Sequence, residues 1–344
     1  MQNTDMIKKV KINNLGIIDN FSFDGFQNVN LIIGENGTGK SFLLKALYTA
    51  MKTVEDHKRG EDVRTTADIL SDRLRWCFQT DKLGDIVKKG SETPFLFEMY
   101  WNDDKFSYGF TKDATIKVPN VINEIEPLKS NSIFIPAKEV LSLFGIILKS
   151  REIDKVFGFD DTYYDLVKAL RIPPQRGKNY SVFAQSRASL KDIIDGKVEY
   201  DENSNKWYYK KGNQKFSIGA TSEGVKKIAI LDRLLANGYL TKSSVIFIDE
   251  LESALHPTAI SEFLDIIDTI AFEMGIQIFI ASHSYFVIKK LYLNALKRKS
   301  SIPCISMSKE NGIQYYDLLD GMPDNSIINE SVRLYEEEIN EVLG

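Results

Sequence analysis

Apolar positions along this chain follow two periods. "VNLII" (Val29 to Ile33), "SVIFID" (Ser244 to Asp249) and "IQIFIAS" (Ile276 to Ser282) are unbroken apolar runs, too short for helices and patterned like strands buried on both faces. "PTAISEFLDIIDTIAFEMG", between the last two, has helical spacing and reads as a crossover helix, and "KSFLLKALYTAM" has it after the first. The opening "MIKKVKINNLGIIDNFSFDGFQ" reads as strand, turn, strand. "FLFEMYW", "KFSYGFT" and "ATIKV" predict an antiparallel side sheet, and "SIFIPAKEV" contains a further short buried strand. Residues 140–195 read as helices broken at "IPPQRGKNY", an inserted arm or cap. "GKVEYDENSNKWYYKKGNQKFSIG" predicts a β-hairpin ahead of a helix over "SEGVKKIAILDRLLANG", and "NSIINESVRLYEEEINEVLG" predicts an acidic amphipathic helix. The class is α/β, with no internal repeat and no heptad run long enough for an extended coiled coil.

Composition narrows the setting. The 344 residues allow one large body or two modest domains. With 43% apolar and 27% charged residues the chain reads as a soluble globular protein. Cys77 and Cys304 lie far apart and no secretory signal is evident, which points to reducing cytoplasm rather than a disulfide framework. No apolar run is long enough to span a membrane, so no membrane partner is expected. A net charge of −4 gives no global pull toward nucleic acid. "ILKSREIDK", "RIPPQRGKNY" and "KKLYLNALKRKS" are local basic stretches, each readable as solvated surface.

The chemistry starts where "VNLII" meets "GENGTGKS". Gly34, Gly39, Lys40 and Ser41 stand in G-x-x-x-x-G-K-S form between a strand and a helix. Asn36, Gly37, Thr38 and Gly39 would turn backbone N–H groups toward phosphate oxygens, Lys40 would reach the β- and γ-phosphates, and Ser41 would meet Mg²⁺. "SVIFIDE" supplies acids at the end of a buried strand: Asp249 for the Mg²⁺ shell and Glu250 to polarise the attacking water. Ser222 and Gly224, in "TSEGVKK", sit at a helix start whose free N–H groups could meet a γ-phosphate. His283 follows the next apolar strand, where its imidazole could contact the same phosphate. His57, in "VEDHKRG", reads as solvated helix rather than a metal ligand.

The order of "IIGENGTGKS", "IFIPAKEVLSL", "TSEGVKKIAILDRL", "VIFIDELESALHP" and "IFIASHS" resembles the heads of ABC-type ATPases, on the RecF, SMC and OLD side. The resemblance implies a P-loop head with a mixed core sheet, an antiparallel side sheet and a short helical insertion. It divides the chain into a nucleotide-binding lobe at 1–139, an insertion at 140–195 and a second lobe at 196–344. It also implies an Mg²⁺-dependent ATPase in which Ser222 and Gly224 act in trans on ATP held by a second copy, with Glu250 and His283 catalytic. Glu139 takes the metal-facing place of a missing glutamine, near a salt-bridged Lys138, while the family's "LSGGQ" stands here as "ATSEGV". His256 occupies a D-loop position that often carries Asp, and its role stays open.

Only about 80 residues separate "FIPAKEV" from "TSEGV", too few for SMC-length arms, and about 60 follow Ser284, too few for a Toprim domain. The resemblance is therefore nearest to stand-alone ATPases of bacterial anti-phage defence, PtuA-like or AriA-like. It implies a homodimer or higher homo-oligomer that regulates a separate effector such as a nuclease or toxin. Two alternatives stay open: a RecF- or SMC-like repair ATPase that clamps DNA, and an ATP-bound scaffold with little turnover.

Overall fold

A computed structural model of the chain describes residues 5–175 and 180–343, with the side chain of residue 343 excepted. The middle of "RIPPQRGKNY" lies outside the described residues. Strands β1 (Ile7–Leu15), β2 (Ile18–Asp24) and β3 (Val29–Gly34) lead into helix α1 (Lys40–Asp56) and then α2 (Thr66–Phe78). Next come β4 (Phe95–Trp101), β5 (Asp104–Phe110), β6 (Asn120–Asn123) and β7 (Ile133–Ile135). Helices α3 (Phe144–Leu148), α4 (Asp161–Arg171) and α5 (Ser181–Ile194) precede β8 (Lys197–Asp201), β9 (Lys206–Lys211) and β10 (Gln214–Ser217). The chain continues through α6 (Glu223–Ala236), β11 (Val245–Asp249), α7 (Pro257–Met274), β12 (Gln277–Ser282) and α8 (Tyr285–Arg298). It closes with β13 (Pro303–Ser308), β14 (Gly312–Asp317) and α9 (Ser326–Leu343).

Six strands form the core sheet in the order β14-β13-β3-β12-β11-β7. All neighbours are parallel except the β13–β14 pair, so the sheet is mixed. The apolar runs have the physical cause expected of them: β3, β11 and β12 are buried at every position. Alternate residues enter different cores. Val29, Leu31, Ile33, Ile246, Ile248, Ile278 and Ile280 join the core that holds residues of α4 to α8. Ile32, Val245, Phe247, Phe279 and Ala281 face α1 and the side sheet.

The side sheet is antiparallel, β2-β1-β4-β5-β6. The buried Gln277 amide joins it to the core sheet, accepting from Ile7 N and donating to Ile7 O, both at 2.9 Å.

Two local expectations need correction. "ATIKV" is not a strand; the fourth side-sheet pairing is made by Asn120–Asn123 against β5. Residues 115–118 instead run past the short turn at Leu83–Ile86 and helix α2, with Thr115 O accepting from Leu83 N and Val118 N donating to Ser71 Oγ. The expected hairpin is a three-stranded sheet, β10-β9-β8, because the Gly212 turn returns a third strand after "KWYYKK".

Candidate functional site

The parallel register brings three strand ends to one edge. Ser282 pairs with Ile33 and Asp249 with Ala281, so the loops after β3, β11 and β12 converge at the carboxyl ends of the sheet. Open α/β sheets place ligand crevices there.

After β3 the chain turns through Gly37 (φ +77°) and Gly39 (φ +102°), left-handed values that suit glycine. Lys40 begins α1, and its ammonium donates to the carbonyls of Gly34 and Glu35, both at 2.8 Å. Burial lowers its pKa, against the pull of Asp249, Glu250 and Glu252. The next residue, Ser41, donates its hydroxyl to Asp249 Oδ2 at 2.8 Å. Asp249 Oδ1 is buried without a partner among the described residues, and desolvation raises the pKa of this carboxyl, opposed by the Ser41 bond. A buried carboxylate oxygen left unpaired is costly unless something meets it. Paired with a serine hydroxyl, it is an oxygen donor set that suits a hard cation such as Mg²⁺. Asn36, Gly37, Gly39, Lys40, Ser41, Ile17, Phe42 and Glu250 line the adjoining cavity of about 350 Å³.

Glu250 has a backbone φ of +47°, uncommon for a side chain of its size. Two contacts hold that conformation: its N–H donates to Ala281 O at 3.0 Å, and its carbonyl accepts from the Lys227 ammonium. Its half-exposed carboxylate lines both the phosphate-loop cavity and a second crevice of about 290 Å³ formed with Glu139, Glu223, Lys226 and Lys227. His283 stands on the same edge, Nδ1 lying 3.4 Å from Glu252 Oε1 and 3.9 Å from Glu250 Oε1.

The other half of the expected site is on α6. Ser222 is its N-cap, exposed, accepting only a 3.4 Å bond from Val225 N. Gly224 is buried against the loop after β11, where a Cβ would meet Ala254 O at 2.8 Å, so the helix start fits only as glycine. The structure thus gathers Lys40, Ser41, Asp249, Glu250 and His283 at one edge. Ser222 is left exposed, while Glu223 pairs with Lys226 and lines the second crevice.

Comparison with known proteins accords with this geometry. A family described as "AAA domain, putative AbiEii toxin, Type IV TA system" matches residues 105–289, more than half of the chain. The chain belongs to that family. A second profile, ABC transporter, matches residues 19–155, which include the phosphate loop. Among solved structures the fold is similar to an SMC head bound to the C-winged helix domain of ScpA, at a TM-score of 0.55, 11% identity and coverage of 91% of this chain and 99% of that one. A second is an SMC head with an extended coiled coil bound to the C-terminal domain of ScpA derived from Pyrococcus furiosus, at a TM-score of 0.52, 11% identity and coverage of 96% and 98%. A DNA double-strand break repair Rad50 ATPase of Nanoarchaeum equitans is 31% identical over 74 residues, 20% of this chain. That match spans only 9% of the relative's length. The fold is an SMC-head-like, ABC ATPase-like α/β fold.

Other expected residues have different neighbours. Glu139 lies in the second crevice, and one of its carboxylate oxygens accepts from Ser142 N at 2.7 Å; it does not line the cavity of Lys40 and Ser41. Lys138 makes no ion pair among the described residues, contrary to the expected salt bridge. His256 caps α7, accepting from Thr258 N at 3.3 Å ahead of Pro257. His57 ends α1, its Nδ1 3.2 Å from Thr66 Oγ1.

Two residues of this candidate site escaped the sequence reading. Glu252 Oε1 accepts from Ser282 Oγ at 2.8 Å and His283 N at 2.9 Å, tying the two acidic-loop and histidine-loop strand ends together. Its signal was the third acid of "DELE". Lys227 is buried, and desolvation pulls its pKa down to about 8 despite Glu252, Asp249 and Glu250 nearby. Its signal was a lysine intruding on the apolar face that Gly224, Ile228, Leu231 and Leu235 form.

Proposed function

We propose that two copies bind ATP head to tail and hydrolyse it, and that the cycle regulates a separate effector in bacterial defence. The observation that carries the reading is the contrast around Glu250: a phosphate-loop cavity lined by Lys40 and Ser41, the latter bonded to Asp249, and an exposed Ser222 at the start of α6 whose hydroxyl accepts one long bond from Val225 N. In this reading Lys40 exchanges its two carbonyl partners for phosphate oxygens, and the loop N–H groups with the α1 N-terminus neutralise the remaining charge. Mg²⁺, held by Ser41 and Asp249, would supply electrostatic stabilisation of the phosphates. Glu250, fixed at its backbone by Lys227, orients the attacking water and takes its proton, and His283 contacts the transferred phosphoryl group. Ser222 and Gly224 of the second copy complete the site. The fold division into lobe 1–139, insertion 140–195 and lobe 196–344 belongs to the same proposal.

The toxin and antitoxin wording of the family description supports the defence setting and an effector such as a nuclease or toxin. A second reading, a DNA-clamping repair ATPase, is favoured by the Rad50 match. It predicts duplex binding that ATP tightens and salt weakens.

Glu250→Gln tests the core of the proposal. With Mg²⁺ and ATP the variant should double its mass from 39.2 kDa, keep ATP bound and lose turnover by about 100-fold or more, whereas ADP should give no doubling. Unchanged hydrolysis would remove Glu250 from its role. ATP-bound Glu250→Gln that ignores DNA at low salt would exclude the clamp.

A further inference from the structure

Helix α9 begins against the body and then leaves it. Ile327 and Ile328 pack on the core, but Val332, Leu334, Tyr335, Ile339 and Val342 are exposed, Tyr335 at 64% and Val342 at 74%. From Ile328 the apolar positions run 332, 335, 339 and 342, alternating steps of four and three. That spacing makes a seam on one helix face that another helix can fill. Glu330 and Glu337 are paired with Arg333, while Glu336, Glu338 and Glu341 have no ion-pair partner among the described residues.

The complementary surface is on α8. Its outer face exposes Phe286 (52%), Leu293 (48%) and Leu296 (42%), in seven- and three-residue steps. Lys290 and Arg298 on this helix are engaged with Asp265 and Asp268. Lys289, Lys297 and the following Lys299 have no carboxylate partner among the described residues. One helix therefore offers an apolar seam flanked by the free carboxylates of Glu336 and Glu338, and the other an apolar strip that carries the free ammonium groups of Lys289 and Lys297. Contact between α8 and α9 within one chain is sparse, and the distal half of α9 keeps its apolar side chains exposed.

We propose that the distal half of α9 of one copy docks along the outer face of α8 of a second copy, reciprocally, forming a two-fold dimer that needs no nucleotide. Reciprocity doubles the area that one such docking buries, and the same two strips are used on both subunits. The free glutamates of α9 then face Lys289, Lys297 and Lys299. This contact is separate from the ATP-bridged dimer, so each can fail alone.

The test uses the full chain without nucleotide. Light scattering should find a dimer that salt weakens, and Tyr335→Glu with Ile339→Glu should return it to 39.2 kDa while ATP binding is retained. Glu336→Lys with Glu338→Lys should also weaken it, and adding Lys289→Glu and Lys297→Glu should restore it. As an independent readout, Ile339→Cys with Leu293→Cys should give a disulfide between chains on mild oxidation; the native Cys77 and Cys304 are buried. A monomer at every concentration, a dimer indifferent to the α9 glutamates, or a disulfide only within one chain would overturn the proposal. Nucleotide-dependent doubling of Glu250→Gln would still be readable in each case.

Discussion

The phosphate loop and the α6 turn are both helix starts rich in glycine and hydroxyl groups, yet their surroundings differ. Around α1, Lys40 and Ser41 are engaged by carbonyls and by Asp249 inside one chain. Around α6, Ser222 is exposed and holds one long bond, while buried Lys227 reaches back to the Glu250 carbonyl. The first helix start is engaged by its own fold, and at the second the Ser222 side chain is left exposed. A helix N-terminus is an anion site whichever chain supplies the anion. The contrast teaches where a second copy would have to contribute.

The most severe break of the comparison is at the finished half. Lys40→Ala should reduce ATP binding and turnover to near background, measured by nucleotide-binding fluorescence and phosphate release. Ser222→Arg should preserve ATP binding by a single chain but lower turnover by about 10- to 100-fold, because a bulky cation replaces the trans donor. Mixing Lys40→Ala with Ser222→Arg protein should recover part of the activity. One mixed site would then pair an intact phosphate loop with an intact turn, and no recovery would mean that both halves act within one chain.

His283→Ala should lower turnover by about 10-fold while leaving ATP affinity close to the native value, the pattern of a group that acts on the reacting phosphate. Equal losses in both would make it a binding residue only.

The smallest effect concerns Lys227. Its pKa in the folded chain, about 8, lies below its ordinary value of 10.5, so above pH 8 the unfolded chain holds a proton that the folded one has lost. Stability from this group therefore rises between about pH 8 and 10.5 and is flat below pH 8. Lys227→Met should flatten the rise, a difference of about 3 kcal/mol across that window. Denaturant midpoints against pH for both proteins measure it; parallel curves would show that Lys227 is not the group responsible.

Several elements were legible in sequence because one physical rule governs each. Strands β3, β11 and β12 are buried on both faces and so are continuously apolar, and α7 has a proline at its first position and Gly275 at its end. Helices α2 and α8 and the β13–β14 pair were not assigned. In α2 the buried Leu70, Leu74 and Cys77 are interspersed with Asp72, Arg73 and Arg75, whose charges are satisfied in part by distant residues. Arg73 pairs with Asp56, Asp161 and Asp165, partners that no local pattern predicts. In α8 four cations mask a narrow apolar stripe.

The sequence by itself determined the chemistry at each position: a phosphate loop, acids at the end of a buried strand, and a histidine after the next one. Those signals are local, since glycine conformation, strand burial and helix starts depend on residues a few places apart. Only the tertiary structure decided which groups meet. The parallel register sets Asp249 against Ser41 and Glu252 against Ser282, across separations of 208 and 30 residues. Packing of α6 buries Lys227 beneath Glu250 and leaves Ser222 exposed. Such pairings depend on how sheets and helices stack, and stacking is settled by the whole core rather than by any one segment.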